Sequence, residues 1–476
     1  MHKKIPALAT AVRVATLAAV AAPSLALAGG FSLNEQCACA MGVANAGMAA
    51  NAENATTVLF NPAGMSQLSG TNVSFGAAYL DIDAEAKSGT YSATDSLGQP
   101  YYGSGGGDIA DPALLPNIYI THEVSDSIDV GFGIHAPYGL AADYDNDFTG
   151  RYFADKTELT VISFTPALAV NNGKGLSMGV ALNIMYAEGR LSRYQDVRAL
   201  AVGRMGADPA TANYLADTYD TYADVEGDDI GVTMRVGFQY DLSSATRIGL
   251  TAQTGTELEL DGDMELSQLP VATGNPAAPF TSTTLKEDVT VPLAIPESIT
   301  VGIRHQLNDS VTLLAGATYA LWSNFEELDI FSREGDSGAI SALKGRTGDE
   351  NPITHITEEW KNTWQFNVGA VWQLNPVWAL KAGYAFDESP VDQYVTARIP
   401  SEDRHWLTLG AQWKDMASGW TVDAAVGTLI FNDDAEVYDR EYAHTDPTGA
   451  PVSLSSYEGE YDLSAWSASV QISKAF

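Results

Sequence analysis

The sequence predicts an all-β protein: a fourteen-stranded antiparallel transmembrane β-barrel of the outer-membrane type, with an N-terminal hatch plugging its lumen. Three observations lead there. Apolar and small polar residues alternate with period two over long stretches, connectors alternate between tight turns and long loops, and aromatic residues gather toward the ends of the alternating stretches. Ile128, Val130, Phe132 and Ile134 alternate with Ser127, Asp129, Gly131 and Gly133. Leu176, Met178, Val180, Leu182, Ile184 and Tyr186 repeat the pattern, as do Ile230, Val232, Met234, Val236, Phe238 and Tyr240. In the last segment Trp466, Ala468, Val470, Ile472 and Phe476 share one face, with Lys474 the exception. Soluble sandwiches alternate too, but strands of about ten residues exceed the usual five or six and suit a tilted bilayer crossing.

Strands are expected near 71, 113, 127, 157, 175, 229, 246, 285, 311, 362, 377, 405, 420 and 462. Tight turns join them at Ser125-Asp126, Asn171-Asn172-Gly173, Asp241-Leu242-Ser243, Asn308-Asp309, Asn375-Pro376 and Asp415 to Gly419. Between these turns lie loops at roughly 84–112, 140–156, 190–228, 261–284, 326–361, 387–404 and 431–460. Tyr79, Tyr186, Tyr240, Tyr319, Trp322, Trp364, Trp378, Tyr384, Trp406 and Trp420 supply the aromatic girdle.

Composition narrows the function. The 476 residues carry 25 Lys and Arg against 60 Asp and Glu, a formal charge of −35, yet only 18% are charged, below the about 25% of a soluble domain. The longest basic feature is His2-Lys3-Lys4, so no nucleic-acid partner is expected. Two Cys cannot build a disulfide scaffold. Lys3, Lys4 and Arg13 precede a small-residue apolar stretch ending at Ala26-Leu27-Ala28, the pattern of a secretory leader spanning 1–28. Residues 29–70, rich in Ala, Gly, Asn and Ser with little alternation, fit a plug inside a lumen too wide for side chains to fill. Residues 71–476 then make the barrel. The acidic positions concentrate in the loops, as at Asp143 to Asp147, Asp217 to Asp229 and Asp433 to Glu441. They predict an acidic cell-surface rim facing lipopolysaccharide and outer-membrane lipid.

Short motifs extend the prediction. Gly30-Phe31-Ser32-Leu33-Asn34-Glu35-Gln36 and Asn61-Pro62-Ala63-Gly64-Met65 are followed in order by Pro137-Tyr138-Gly139-Leu140, Gly150-Arg151-Tyr152 and Pro296-Glu297-Ser298. Trp322-Ser323-Asn324-Phe325, Phe386-Asp387-Glu388-Ser389-Pro390 and Arg398-Ile399-Pro400-Ser401-Glu402-Asp403-Arg404 complete the series. Together they resemble the FadL/TodX family of outer-membrane transporters for long-chain fatty acids and other hydrophobic compounds. The resemblance implies a hatch-plugged barrel, localisation in the outer membrane of a Gram-negative cell, and passive, ligand-gated diffusion. Long-chain fatty acid is the expected substrate, with aromatic hydrocarbon the alternative and a general porin or adhesin a third reading. A monomer is expected.

Candidate site residues follow. Asp208-Pro209 reads as an N-cap with Pro at the first helical position, after which Leu215, Tyr219 and Tyr222 share a face. In the loop 261–284, Met264, Leu266, Leu269, Val271 and Phe280 offer a second apolar surface. The resemblance implies a capture groove between the two loops; the competing reading packs each stripe within its own loop. Arg193 and Lys361 resemble family positions near a bound head group, although cations at strand ends also snorkel. On the third strand, His135-Ala136-Pro137-Tyr138-Gly139 should weaken pairing, since Pro137 lacks an amide hydrogen and Gly139 packs nothing. In the family this strand kinks and opens a lateral exit; an ordinary strand end is the other reading. Asn61, Pro62 and Ala63 match the gating part of the hatch, or make a purely structural turn.

Cys37 and Cys39 read first as small buried residues and second as an oxidised pair, with no His or Cys nearby to complete a zinc site. Asp143, Asp145 and Asp147 suggest calcium, but Phe148 stands where an EF-hand needs Gly, so a solvated loop is expected. His122 and His135 belong to no nucleophile motif, so neither an enzyme nor a cofactor or metal is expected.

Overall fold

The computed structural model describes residues 30–345, 348 and 350–476; the expected leader, 1–28, lies outside them. Fourteen strands form the wall. They are β1 (Thr71–Ala86), β2 (Ala113–Ser125), β3 (Ile128–Asp143), β4 (Lys156–Asn171), β5 (Leu176–Tyr194) and β6 (Tyr222–Asp241). Two bent strands follow, β7 (Thr246–Gln253 continued as Thr256–Ala272) and β8 (Phe280–Ile295 continued as Ser298–Gln306). The circuit ends with β9 (Val311–Ala320), β10 (Thr363–Gln373), β11 (Trp378–Asp387), β12 (Arg404–Asp415), β13 (Trp420–Phe431) and β14 (Ser456–Ala475). Neighbours pair antiparallel all the way round, and β14 returns to β1 from Asn72↔Ala475 to Ala86↔Tyr461. Closure satisfies backbone groups that a bilayer could not.

The alternation has the polarity of a membrane wall. On β14, Trp466 and Val470 are exposed whereas Ser467, Ser469, Gln471 and Ser473 are buried. Phe132, Leu182, Val232, Val301 and Val368 likewise face out, while Ser163, Asn183, Thr233 and Gln239 line the lumen. A water-soluble sandwich would show the reverse.

This polarity inverts within β7 and β8, and the inversion corrects the expected loop at 261–284. Ile248 and Leu250 are exposed, but past the break at Thr254-Gly255 Leu258, Leu260, Met264 and Leu266 are buried. In β8, Val289, Val291, Leu293 and Ile295 are buried, and past Pro296-Glu297 Ile299, Val301 and Ile303 are exposed. Each break shifts the period-two phase by one residue. Both strands therefore continue beyond the bilayer with their apolar face inward, pairing from Thr256↔Ile295 to Ala272↔Phe280. For the same reason β6 begins at Tyr222 rather than near 229, and β14 at Ser456 rather than near 462. The other long connectors carry short strands (Ser92–Thr94, Pro100–Tyr101, Phe331–Ser332 and Ala435–Arg440) and the helices Arg198–Met205 and Pro209–Thr218. Asp208 caps the second helix, accepting from the Ala210 and Thr211 amides. Tyr222 lies on β6 rather than on this helix, whose C-cap is Tyr219.

The hatch fills the lumen and fits it through small residues. A Cβ on Gly237 would lie 1.9 Å from Asn61 Oδ1, and one on Gly249 would lie 1.9 Å from the Ala49 carbonyl oxygen. Only hydrogen at these wall positions allows the hatch backbone so close. Cys37 and Cys39 are both buried, and they are bonded to each other as a disulfide; of the two readings of this pair, the oxidised one is present.

A buried ion cluster ties hatch to wall. Lys381 Nζ donates to Glu53 Oε2 at 2.7 Å, Asp423 Oδ1 at 3.0 Å and the Cys39 carbonyl at 3.1 Å, with the lysine side chain 1% exposed. Gln412 Nε2 donates to the same two carboxylates. Lys381→Met leaves Glu53 and Asp423 facing each other without a cation, which should cost about 3–5 kcal/mol. The expected readout is proteolysis of the hatch in a barrel that still migrates as folded before heating; a hatch as resistant as in the unsubstituted protein would contradict the clamp.

Candidate functional site

Where β7 and β8 turn their apolar faces inward, they line a narrow apolar chamber with their neighbours. Leu140, Leu159, Leu191, Val225, Leu260, Val291, Leu293, Leu328 and Ile399 line this chamber, and Phe31 and Phe325 add aromatic walls. It is an apolar compartment on the long-loop side of the barrel. Two arginines reach it. Arg190 is matched by Asp224 in a bidentate pair at 2.9 and 2.7 Å. Arg398 is not matched in this way.

Arg398 lies in the connection between β11 and β12 and is 4% exposed. Its guanidinium donates to neutral oxygens: the Lys156 carbonyl at 3.3 Å, Thr157 Oγ1 at 3.2 Å and the Ser192 carbonyl at 3.1 Å. Its Nε–H has no acceptor, and no ion pair is found for it among the described residues. Burial, with Arg193 nearby, pulls it down to about 10, so it stays charged at neutral pH. Of the acids that act on it, Glu358 is pushed up to about 8 by burial and is mainly neutral at pH 7. Asp439, raised to about 6 by burial, accepts from the Ala397 amide at 2.7 Å. A buried cation without a direct ion-pair partner at an apolar wall is costly unless an anion joins it.

The chamber floor is Phe31. Its ring meets Trp322 at 4.7 Å, Tyr138 at 5.8 Å, Trp360 at 5.9 Å and Phe325 at 6.0 Å between centroids. Below it lies a larger and more polar cavity, lined by Ser32, Leu33, Phe60, His135, Pro137, Arg235 and Gln253 among others. Phe31 and Ser32 form the partition between the two.

Beside the partition the wall is incomplete. Pairing of β2 with β3 runs from Ser125↔Ile128 to Ile118↔Ile134 and ends there, although β3 continues to Asp143. On the other side, the β3–β4 register shifts between His135 and Tyr138, a bulge that turns the strand. The hatch takes the vacated edge: the Leu33 amide donates to the Pro137 carbonyl and the Gly139 amide to the Phe31 carbonyl, both at 3.0 Å. Gln36 Nε2 adds a bond to the Ala136 carbonyl at 2.6 Å.

The residues singled out from sequence fall into distinct places. His135, Pro137 and Gly139 gather at the hatch contact, Gly139 facing Leu33. Leu215, Tyr219 and Phe280 pack into one cluster, so the two apolar stripes do meet. Leu266 and Leu269 belong to the main core, and Tyr222 bonds Asp155. Arg193 flanks the chamber without lining it, 3.3 Å from the Tyr152 carbonyl and 3.7 Å from Glu441. Lys361 is exposed and lines neither cavity. Asn61, Pro62 and Ala63 sit against Gly179 and Gly237, with Asn61 Nδ2 donating to the Ala49 and Phe238 carbonyls at 2.6 and 3.1 Å. Asp145 and Asp147 accept loop hydrogen bonds, Asp147 from Ser104. Arg398 and Phe31 lie within the Arg398–Arg404 and Gly30–Gln36 motifs, and nothing in the sequence marks either as a site residue.

Residues 18–476 match the model of the outer membrane protein transport protein family, OMPP1/FadL/TodX. The chain belongs to this family. It is 29% identical over 423 residues to a putative outer membrane protein of Neisseria meningitidis serogroup B, covering 85% of this chain and 87% of that one. It is 26% identical over 452 residues to the long-chain fatty acid transport protein of Salmonella typhi, with 94% of each covered. The crystal structure of a Pseudomonas aeruginosa FadL homologue superposes with a TM-score of 0.78 at 21% identity, covering 94% of this chain and 99% of that one. The Pseudomonas putida toluene transporter TodX gives 0.61 at 17%, covering 89% and 94%. As a FadL/TodX protein the chain is an outer-membrane transporter of hydrophobic compounds.

Proposed function

We propose that this FadL/TodX protein admits long-chain fatty acids, or amphiphiles that likewise join an acidic head to a long apolar tail. The observation that supports this reading is Arg398, a buried guanidinium with a free Nε–H at the wall of an apolar chamber. A carboxylate there gains charge-assisted hydrogen bonds, while Leu159, Val291 and Leu293 receive the tail. The likeness to long-chain fatty acid transport proteins along nearly the whole chain points the same way. Leu215, Tyr219 and Phe280 serve as the outer capture surface.

The gate is the hatch strand at Phe31–Leu33. A tail that displaces Phe31 from its aromatic box detaches the strand from Pro137 and Gly139, and the chamber then joins the polar cavity and the gap between β2 and β3. The substrate leaves sideways into lipid, driven by its concentration gradient alone. Asn61, Pro62 and Ala63 hold the base of the hatch while its N-terminal end moves.

Arg398→Met should weaken binding of a fluorescent fatty acid about 10- to 100-fold, the loss of one charge-assisted bond, and leave toluene binding unchanged. Equal effects on both ligands, or none on either, would refute the anchor and favour a hydrocarbon substrate. Fatty-acid affinity should also fall as pH rises through about 8, because ionised Glu358 then competes for Arg398; Glu358→Gln should remove that fall.

For the gate, Ser32 and Tyr138 face each other as a bridged pair. In a Cys37→Ser, Cys39→Ser background, Ser32→Cys with Tyr138→Cys should cross-link under oxidation, abolish uptake and recover it on reduction. Uptake that persists when cross-linked would exclude this exit.

A further inference from the structure

On the outer side of the chamber roof, two polar faces converge that the transport reading does not use. Residues 327–330 and 354–357 form a short antiparallel ribbon: the Leu328 amide donates to the Ile356 carbonyl and the Ile330 amide to the Thr354 carbonyl, both at 2.9 Å. Leu328 faces the chamber. Its neighbours Glu327 and Asp329 point the other way, toward His355 on the partner segment and His444 in the connector between β13 and β14. One ligand atom from each of these four residues lies within 4.8 Å of all the others.

The hydrogen bonding around this cluster is incomplete in an informative way. Thr357 gives its only hydroxyl proton to the Pro447 carbonyl at 3.0 Å. It must therefore accept from His355 Nε2, 3.0 Å away. A neutral His355 then aims an Nδ1 lone pair at Asp329 Oδ1, 2.6 Å distant, where two acceptors would oppose each other. Asp329, 2% exposed, has its other oxygen 2.8 Å from His444 Nδ1, and neither atom has a hydrogen-bond partner. Glu327 Oε2 completes the ring, 3.4 Å from His444 Nδ1 and 3.7 Å from His355 Nδ1. What the cluster lacks is a positive centre.

We infer that Glu327, Asp329, His355 and His444 form a binding site for a divalent transition-metal ion, zinc by preference, that pins the chamber roof to the β13–β14 connector. Two imidazoles and two carboxylates make a four-ligand set suited to tetrahedral zinc and poorly suited to magnesium or calcium. Bond lengths near 2.1 Å set tetrahedral ligand atoms roughly 3.3–3.5 Å apart, so the close contacts of Asp329 with the two imidazoles open slightly and the wider separations in the cluster close, a rotamer-scale adjustment. The His355 Nε2–H to Thr357 bond is the outer-shell contact that fixes a ligating imidazole's tautomer. Sequence spacing concealed the set, because its members come from positions 327, 329, 355 and 444.

The test uses full-length protein in detergent, purified without a histidine tag, stripped with chelator and titrated with zinc chloride at pH 7.5. One zinc per chain is expected, with a higher thermal midpoint and no comparable response to magnesium or calcium. His444→Gln, a partly exposed position, and Asp329→Asn should each weaken zinc binding at least about tenfold, and Thr357→Val about tenfold; heat-modifiable gel mobility verifies folding of each variant. The inference fails if stripped protein takes up no zinc, if folded His444→Gln binds it as tightly as the unsubstituted chain, or if His355 proves to be a protonated partner of Asp329 that zinc cannot displace.

Discussion

A strand edge cannot stand open in hydrocarbon, because each unsatisfied amide or carbonyl there costs several kcal/mol. β3 breaks this constraint above Ile134, where β2 no longer pairs with it. Pro137 softens the problem by removing one donor, and the bulge at Ala136-Pro137 turns the strand off the wall. The Ala136 and Pro137 carbonyls and the Gly139 amide are satisfied by the hatch, whose Phe31–Leu33 backbone lies along the open edge as a fifteenth strand. The wall is sound only while the hatch is seated, so its weak point and its plug are one feature.

That seat is graded in strength. At its base the hatch is fixed by Lys381 between Glu53 and Asp423, and by glycines that let its backbone touch the wall. At its N-terminal end it holds β3 through two backbone bonds, one side-chain bond and an aromatic box. A net hydrogen bond contributes only about 1 kcal/mol, so the contact at Phe31–Leu33 is the weaker of the two attachments. The short disulfide-closed turn at Cys37–Cys39 separates the two regimes.

The barrel plan was legible because lipid and lumen impose opposite demands on alternate residues, and a period of two survives even where Gly and Ala dilute it. The same signal misled at 261–284. Asp261, Asp263 and Glu265 alternate there with the buried Leu260, Met264 and Leu266, so the stretch reads as an acidic loop, although it is a strand whose outer face meets water instead of lipid. The site was less legible. Pro137 and Gly139 announce themselves through backbone chemistry that any neighbour would feel. Arg398 and Phe31 sit in aperiodic segments, and their roles arise from partners more than 200 residues away, Ser192 for one and Trp322 for the other. Nothing local marks one arginine as uncompensated when Arg190, equally near the chamber, has Asp224 beside it.

The inverted upper part of β7 and β8 links these pieces energetically. By turning apolar side chains inward above the bilayer, it creates a dry compartment where a methylene gains about 0.8 kcal/mol on burial, so a long acyl chain brings far more than one aromatic side chain can oppose. Releasing Phe31 from its box costs on the order of 3–5 kcal/mol. A ligand shifts that equilibrium only through interactions made better with Phe31 displaced than with it seated. In the function proposed above, a head group held at Arg398 would supply the bias by fixing where the tail must go, since Phe31 and Arg398 line the same chamber. On that proposal tail length matters twice, in affinity and in the fraction of bound states that open the partition.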